Sequence, residues 1–205
     1  IWEAEHARER LATATAMVEA GEEAGDRAWV LQGRNWRVLD LMELGRVREA
    51  EAEIEAYEAG AEDLALPHYR WYAPLWRGTL AQMAGRWDDA ERCCDEALAL
   101  GRRAGDPNAD LFVTTLRVQV EVERGRLEAI DADWVRRGAA GSPAGSAWEA
   151  WLAAIEAARG GTGEARAIVA RLAERDFAAV ALDANWHAAM DLAEALVALG
   201  DRERA

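Results

Sequence analysis

A glycine recurs at a nearly constant interval along the chain, and this periodicity constrains the fold more than any other feature of the sequence. Successive glycines are 40, 40, 35 and 40 residues apart, and an alanine follows four of the five at the fifth position. Periods of about 20–50 residues are typical of repeat proteins, in which each period forms one supersecondary unit. The glycines are Gly45, Gly85, Gly125, Gly160 and Gly200.

A helix-starting residue precedes each of the last four glycines at a similar distance. Pro67, Pro107 and Pro143 lie 18, 18 and 17 residues before their glycines, and Asp183 takes the equivalent place before Gly200. Proline is tolerated in the first turn of a helix, where its missing N–H would be unpaired. Glycine ends a helix in the left-handed conformation without a Cβ clash. Each unit is therefore predicted to contain a first helix of about 17 residues, a glycine turn and a second helix.

The second helix of each unit is predicted to follow its glycine turn directly. In the segment DDAERCCDEALAL, the small and apolar residues recur at i, i+4, i+7 and i+8, which is the spacing of one helix face. These residues are Ala90, Cys94, Ala97 and Leu98. The predicted second helices span residues 47–64, 88–104, 127–138 and 163–175.

Residues 118–123, VQVEVE, have a local pattern that favours a strand, because apolar residues alternate with polar or charged ones. They nevertheless occupy the first-helix position between Pro107 and Gly125. Tertiary context regularly overrides local propensity. We therefore expect a helix here, with a strand as the alternative.

The motif around Gly85 resembles the tetratricopeptide repeat, through Gly85, Trp87, Ala90, Ala97 and Leu98. More narrowly, residues 25–45 and 66–91 resemble the helical region of large actinobacterial regulators. Those multidomain proteins combine a signalling ATPase with a LuxR-type DNA-binding domain or a cyclase domain. The resemblance implies that this chain is the sensor or scaffold region of such a bacterial regulator.

The repeats and the resemblance together predict an all-α fold, an α-solenoid of antiparallel helix pairs with about nine helices. By resemblance it is a right-handed superhelix, and we expect residues 1–205 to form a single repeat array. Residues 1–25 are predicted to form a second-type helix, and the sequence ends where another should begin. Solenoids end in polar capping repeats, and neither end of this sequence shows one. We therefore expect a fragment of a longer protein.

The charge of the chain argues against direct binding of nucleic acid. The formal net charge is −14, which repels the phosphate backbone that supplies most nucleic-acid affinity. The chain contains neither an apolar run long enough to span a membrane nor a secretory leader, so we expect no membrane partner. Its two cysteines are adjacent and give no disulfide framework, which favours the cytoplasm.

Residue types capable of catalysis or metal binding are present without the spacing that such chemistry needs. Cys93 and Cys94 are adjacent on one helix and have no other cysteine or nearby histidine to complete a metal site. The three histidines, His6, His68 and His187, lie in different units outside any HExxH or triad-like context. We predict no enzyme activity, metal or cofactor in this chain.

Tryptophan is unusually frequent, with ten residues, of which seven lie in predicted first helices. The ninth position before each glycine carries Trp36, Trp76, Leu116, Trp151 and Asp191 in turn. In tetratricopeptide arrays the first helices line the concave surface, so by resemblance this row could belong to an aromatic binding groove. The alternative is that the indoles fill space between stacked helices. The candidate groove residues are Asn35, Trp36, Arg37, Tyr72, Trp76, Arg77, Thr115, Trp151 and His187.

These features predict a non-catalytic interaction or sensor module of a bacterial signalling or transcriptional regulator. Its concave face would bind a protein or peptide, another domain of the same chain, or a small inducer. The alternatives are a plain protein scaffold without an inducer and, in a third class, a helical enzyme domain.

Overall fold

The computed structural model describes residues 6–140, 145–174, 177 and 186–201, and regular secondary structure within them is entirely helical. The described residues form eleven α-helical segments and one short 3-10 helix. The all-α prediction is confirmed for this part of the chain, including residues 118–123, whose alternating pattern had favoured a strand. Among the described helices, none has the combined length and apolarity that crossing a bilayer requires.

The chain divides into two compact units, residues 1–117 and residues 118–205, and the division falls inside the seventh helix. In the first unit, consecutive helices pack on one another, α1 on α2, α2 on α3 and α5 on α6. The helices up to the division are α1 (Ala7–Ala24), α2 (Arg27–Glu43), α3 (Val47–Leu64), α4 (Pro67–Arg70), α5 (Tyr72–Met83), α6 (Trp87–Ala104) and α7 (Pro107–Glu123).

The second unit is organised around the helix Gly145–Ala158, which contacts the 3-10 helix and the other three α-helices that follow residue 131. That helix buries Trp148, Trp151 and Ile155. After the end of α7 the elements are a 3-10 helix (Leu127–Ala129), α8 (Ala132–Ala140), α9 (Gly145–Ala158), α10 (Thr162–Ala173) and α11 (Trp186–Ala198), of which α9 is the central one.

Several predicted helix bounds agree closely with the structure. The predicted helix 47–64 is reproduced as α3, the helix 88–104 begins one residue earlier, and the helix 163–175 begins one residue earlier and ends two earlier. Pro67 and Pro107 begin helices as predicted, and α7 has the predicted length of about 17 residues. The helix that begins at Pro67 is instead interrupted at Trp71, so the predicted single helix is divided into α4 and α5. Pro143 and Asp183 lie outside the described residues.

The predicted continuous helix 127–138 is wrong. It is divided into the 3-10 helix and α8, because Ile130 adopts an extended conformation with φ −70° and ψ 128°. Ile130 stands where the other units carry alanine, and its side chain is buried. The Asp131 carboxylate then accepts a 3.0 Å hydrogen bond from the N–H of Asp133, an interaction that competes with helix continuation and starts α8 afresh.

The five repeat glycines have the left-handed conformation that the sequence predicts. Their φ values are +69°, +69°, +67°, +79° and +80° from Gly45 to Gly200. At Gly85 the backbone N–H donates to the carbonyl of Gln82 and that of Arg86 donates to the carbonyl of Ala81, both at 2.8 Å. These bonds satisfy the last carbonyls of α5, so the glycine is a true helix terminator.

A second series of left-handed residues, 40 residues apart, lies at the turns between successive repeats. Gly25, Ala65 and Gly105 have φ values of +67°, +56° and +69° and end α1, α3 and α6. Asp26 and Asp106 follow the two glycines and accept hydrogen bonds from backbone N–H groups of the next helix. At the middle turn an alanine adopts a conformation that its Cβ disfavours.

The interior of the first unit depends on small side chains and buried hydrogen bonds. The predicted stripe on α6, which includes Ala90 and Cys94, is buried. Tyr57 donates a 2.9 Å hydrogen bond to the backbone carbonyl of Tyr69, and Trp71 donates one of 3.0 Å to Asp106. These bonds satisfy the polar atoms of the large side chains that fill the space between helices.

Candidate functional site

The tryptophan row predicted from the repeat does not share one environment. Trp36 is 36% exposed, whereas Trp76 is 9% and Trp151 is 2% exposed. Leu116, at the same repeat position, is also buried. The ninth position before the repeat glycine therefore carries a partly exposed indole at Trp36 and buried side chains at Trp76, Leu116 and Trp151.

Two of the candidate residues bond directly to each other inside the first unit. The indole Nε1 of Trp76 donates a 2.9 Å hydrogen bond to Oδ1 of Asn35. Both side chains are buried, so their polar atoms are used within the fold. This bond connects α2 to α5, and packing accounts for both residues.

The arginines that follow the tryptophan row form ion pairs with acids of neighbouring helices. Arg37 lies 3.1 Å from the carboxylate of Glu53, and Arg77 pairs with Glu58. The hydrogen bond that Arg77 donates to Glu58, together with the charges of Glu58 and then Glu96, raises the pKa of Arg77. Both candidates thus have carboxylate partners on α3, which reduces the positive charge that they present to an anionic ligand.

Tyr72 and Thr115 are half-buried and have local partners. The ring of Tyr72 stacks on Trp71 with centroids 3.8 Å apart, and burial raises the pKa of its phenol to about 12. The hydroxyl of Thr115 donates a 3.1 Å hydrogen bond to the carbonyl of Leu111 in its own helix. Tyr72 is therefore neutral at physiological pH and cannot serve as an anionic ligand group.

In the second unit, Trp151 packs edge-on against Trp148 with ring centroids 5.2 Å apart. Its indole nitrogen is buried, and no well-aligned acceptor lies within hydrogen-bonding distance of it among the described residues. Asp191 on α11 is buried, and its pKa is raised to about 6 by that burial and by the charge of Glu194, while the Trp151 N–H opposes the rise. His187 belongs to α11, and its side chain lies outside the described part of the structure.

Among the tryptophan, tyrosine and phenylalanine side chains that the structure describes, the most exposed is one that the candidate list omitted. Trp29 is 52% exposed and lies seven residues before Trp36 on α2. Two helical turns separate these residues, so both indoles lie on the same face of the helix. The spacing of seven was the sequence signal that could have identified this pair, which we call the α2 aromatic face.

A groove of about 640 Å³ lies between α3 and α6, with α5 beneath it. Ile54, Leu80 and Ala81 form its buried apolar floor, and exposed charged side chains form most of its walls. Arg77 is the candidate residue that lines it. The other candidates are not among the residues that line this groove, so it was not predicted as a site.

The two cysteines differ sharply in accessibility. Cys94 is fully buried, which raises the pKa of its thiol to about 12, while Cys93 is half-buried and lines the α3–α6 groove. Burial also raises the pKa of Cys93. The described residues include no group of three His, Cys, Asp or Glu side chains that could hold a metal ion. Neither thiol is activated as a nucleophile at neutral pH.

Compared with known proteins, the chain matches no family model, no curated sequence and no solved structure.

Proposed function

We propose that this chain is a non-catalytic interaction module of a bacterial signalling or transcriptional regulator. In this proposal its helices form antiparallel, tetratricopeptide-like pairs in a right-handed superhelix, and the module binds a protein or peptide. Support for the architecture comes from the glycine turns and from α3 and α6, which have the lengths and positions that the repeat predicts.

The observation that carries the proposal is the α2 aromatic face. Trp29, and a smaller part of Trp36, expose apolar surface to solvent on a helix of a strongly charged chain. Exposed tryptophan is favoured at protein interfaces because it combines a large contact area with a polar N–H group. Trp76 and Trp151 are buried, whereas Trp29 is more than half exposed and Trp36 is about one third exposed.

A scaffold that binds a protein without an inducer is the second candidate. The walls of the α3–α6 groove consist largely of exposed charged side chains. Small-molecule sites are usually concave and mostly apolar, with few polar groups. The groove therefore suits a polypeptide better than a small inducer.

The proposal is tested by affinity capture from lysate of the source cells, comparing the unaltered chain with W29S/W36S. The double variant should lose its bound polypeptide, as quantified by mass spectrometry, while circular dichroism shows that it remains folded. E19Q/E23Q, which alters exposed residues of α1, is the matched control and should retain the polypeptide. Equal capture by W29S/W36S would show that the aromatic face is not the binding surface.

An inducer is detected separately by thermal unfolding in the presence of metabolites. A ligand at one hundred times its Kd stabilises the folded state by about 2.7 kcal/mol. Such stabilisation by a small molecule would favour the sensor, and its absence together with polypeptide capture would favour the scaffold.

A further inference from the structure

The helices that precede the repeat glycines, which are α2, α5, α7, α9 and α11, contact one another through two different faces. In the first unit, the indole of Trp76 on α5 donates its hydrogen bond to Asn35 on α2. A Cβ at Gly78 of α5 would lie 3.0 Å from the side chain of Leu116 on α7. Asn35 and Gly78 stand ten and seven residues before their repeat glycines, whereas Trp76 and Leu116 both stand nine before theirs. One face therefore contacts the next first helix, and the other contacts the preceding one.

A third contact follows the same rule and extends both faces. Trp71, fourteen residues before its repeat glycine, has its ring centroid 6.1 Å from that of Phe112, which stands thirteen before its own. Residues three, seven, ten and fourteen before the glycine lie on one side of the helix, which we call the forward face, because their spacing is three or four. Residues nine, thirteen and sixteen before the glycine lie on another side, the backward face.

Forward faces are covered in the first helices that have a successor of their own kind. Asn35 and Met42 of α2, Leu75 and Gln82 of α5, and Ala150 of α9 are each at most 8% exposed. They stand ten or three residues before their repeat glycines. The corresponding residues of α7, and the second one of α9, are half-buried.

The forward face of α11 differs, because its apolar side chains are open to solvent. Met190 and Val197, ten and three residues before Gly200, are 57% and 50% exposed. The opposite side of α11 packs on α9, where the backward residue Asp191 is buried. A helix with apolar residues on more than one side is usually covered on more than one side. The forward face of α11 therefore has the character of a contact surface.

The backward face of α2 is open in the complementary way. Trp29 and Trp36 stand sixteen and nine residues before Gly45, so the α2 aromatic face is the backward face of this helix. At the ninth position the later helices α5 and α7 bury Trp76 and Leu116, and both of these contact the preceding first helix. The two exposed faces thus correspond to the two halves of the contact that joins first helices inside the chain.

We propose that the α2 aromatic face of one copy of this chain binds the forward face of α11 in a second copy, with Met190 and Val197 packed on the two tryptophans. The inference rests on the proposed function, because it names the polypeptide that the aromatic face binds. Continuity with the internal contact between first helices is the argument for a second copy. The interface joins unlike surfaces, so each end of a pair of copies keeps one half of the contact open.

The test measures self-association of the 205-residue chain by sedimentation equilibrium from low to high micromolar concentration. Moderate salt screens the net charge of −14, which opposes association of two copies. The average mass should rise with concentration above the monomer mass of 22.5 kDa. W29S/W36S and M190S/V197S should each weaken association at least about tenfold, because each removes the apolar side chains of one half of the contact.

A mixture of the two variants separates this contact from general adhesion. W29S/W36S keeps the α11 half and M190S/V197S keeps the α2 half, so the mixture should form a 1:1 dimer and nothing larger. The matched control is V47S/M83S, which removes two exposed apolar side chains outside both faces and leaves the net charge unchanged. It should associate as the unaltered chain does.

Three outcomes would overturn the inference. These are a monomer at every concentration, a mixture that stays monomeric although circular dichroism shows both variants folded, and equal weakening by V47S/M83S. A monomeric chain whose polypeptide capture from lysate is still lost in W29S/W36S would exclude the second copy and leave the proposed function standing. Capture and self-association that are both unchanged in W29S/W36S would overturn the inference and the proposed function together.

Discussion

The indole N–H of Trp76 donates a 2.9 Å hydrogen bond to the side-chain oxygen of Asn35, and this buried bond connects residues 41 positions apart. An indole at this position therefore contributes to stability in two ways, through the area that it buries and through a satisfied donor. The same repeat position carries a surface indole at Trp36. Repetition of a residue type along the chain thus does not imply repetition of its role.

Trp76→Ala is expected to lower the free energy of unfolding by about 3–5 kcal/mol, the usual cost of truncating a buried aromatic residue. Asn35→Ala should cost about 1–3 kcal/mol, because it leaves the buried indole N–H without an acceptor. Urea unfolding at neutral pH measures both. Asn35→Ala in a Trp76→Phe background should cost less than in the unaltered chain, and equal costs would refute a contribution from the hydrogen bond.

Ala65→Gly is expected to stabilise the protein by about 1 kcal/mol, since glycine relieves the left-handed strain of alanine at the end of α3. Gly85→Ala should destabilise it by about 1 kcal/mol for the converse reason. Ala59→Gly, at an exposed position inside α3, is the matched control and should cost about 0.5–1 kcal/mol. The same sign for Ala65→Gly and Ala59→Gly in thermal or urea unfolding would contradict the turn assignment.

Asp191 should make the stability of the second unit depend on pH. Its folded-state pKa is raised to about 6 from its ordinary value of 3.8, so between these values the folded state binds more protons than the unfolded state. Stability contributed by the neutral carboxyl is complete below about pH 4 and falls as pH rises towards 6, by up to about 3 kcal/mol.

Asp191→Asn should remove this dependence and stabilise the protein at pH 7 relative to the unaltered chain. The difference in unfolding free energy between the two proteins, measured from pH 4 to pH 8, isolates Asp191 from other titrating groups. Glu194→Gln should shift the transition to lower pH, because the charge of Glu194 contributes to the raised pKa. A difference that does not change with pH would show that the buried carboxyl has an ordinary pKa.

The two cysteines should react with a thiol reagent in sequence. Cys93 is half-buried and Cys94 is fully buried with a thiol pKa of about 12, so N-ethylmaleimide should add once to the native protein and twice in denaturant. Mass spectrometry counts the adducts, and peptide mapping should place the native adduct on Cys93. Equal modification of both thiols in the native protein would contradict the packing of α6.

Local signals in the sequence were sufficient to predict most helix ends in the first unit. Proline and glycine have specific backbone preferences, so Pro107 and Gly85 identify a helix start and a helix end without knowledge of the rest of the fold. The stripe on α6 could also be predicted locally, because the spacing of Ala90 and Cys94 alone assigns them to one face of a helix. The left-handed Ala65 could not, because an alanine gives no such local signal.

The environment of each tryptophan depends on contacts that no local pattern specifies. Trp76 is buried partly because Asn35, far away in sequence, supplies its hydrogen-bond acceptor. The break after the 3-10 helix lies at Ile130, where the other repeats carry alanine and where the backbone is extended. The α3–α6 groove combines side chains from three helices, so the sequence could suggest Arg77 but not its neighbours.

The central claim, that the α2 aromatic face binds a polypeptide, is tested most directly by photo-crosslinking in the source cells. A photoreactive phenylalanine derivative replaces Trp29 or Trp36, and the same residue at Glu23 on α1 serves as the exposed control. We predict one discrete polypeptide adduct from positions 29 and 36 and none from position 23. No adduct at either tryptophan position, or the same adducts from position 23, would contradict the account.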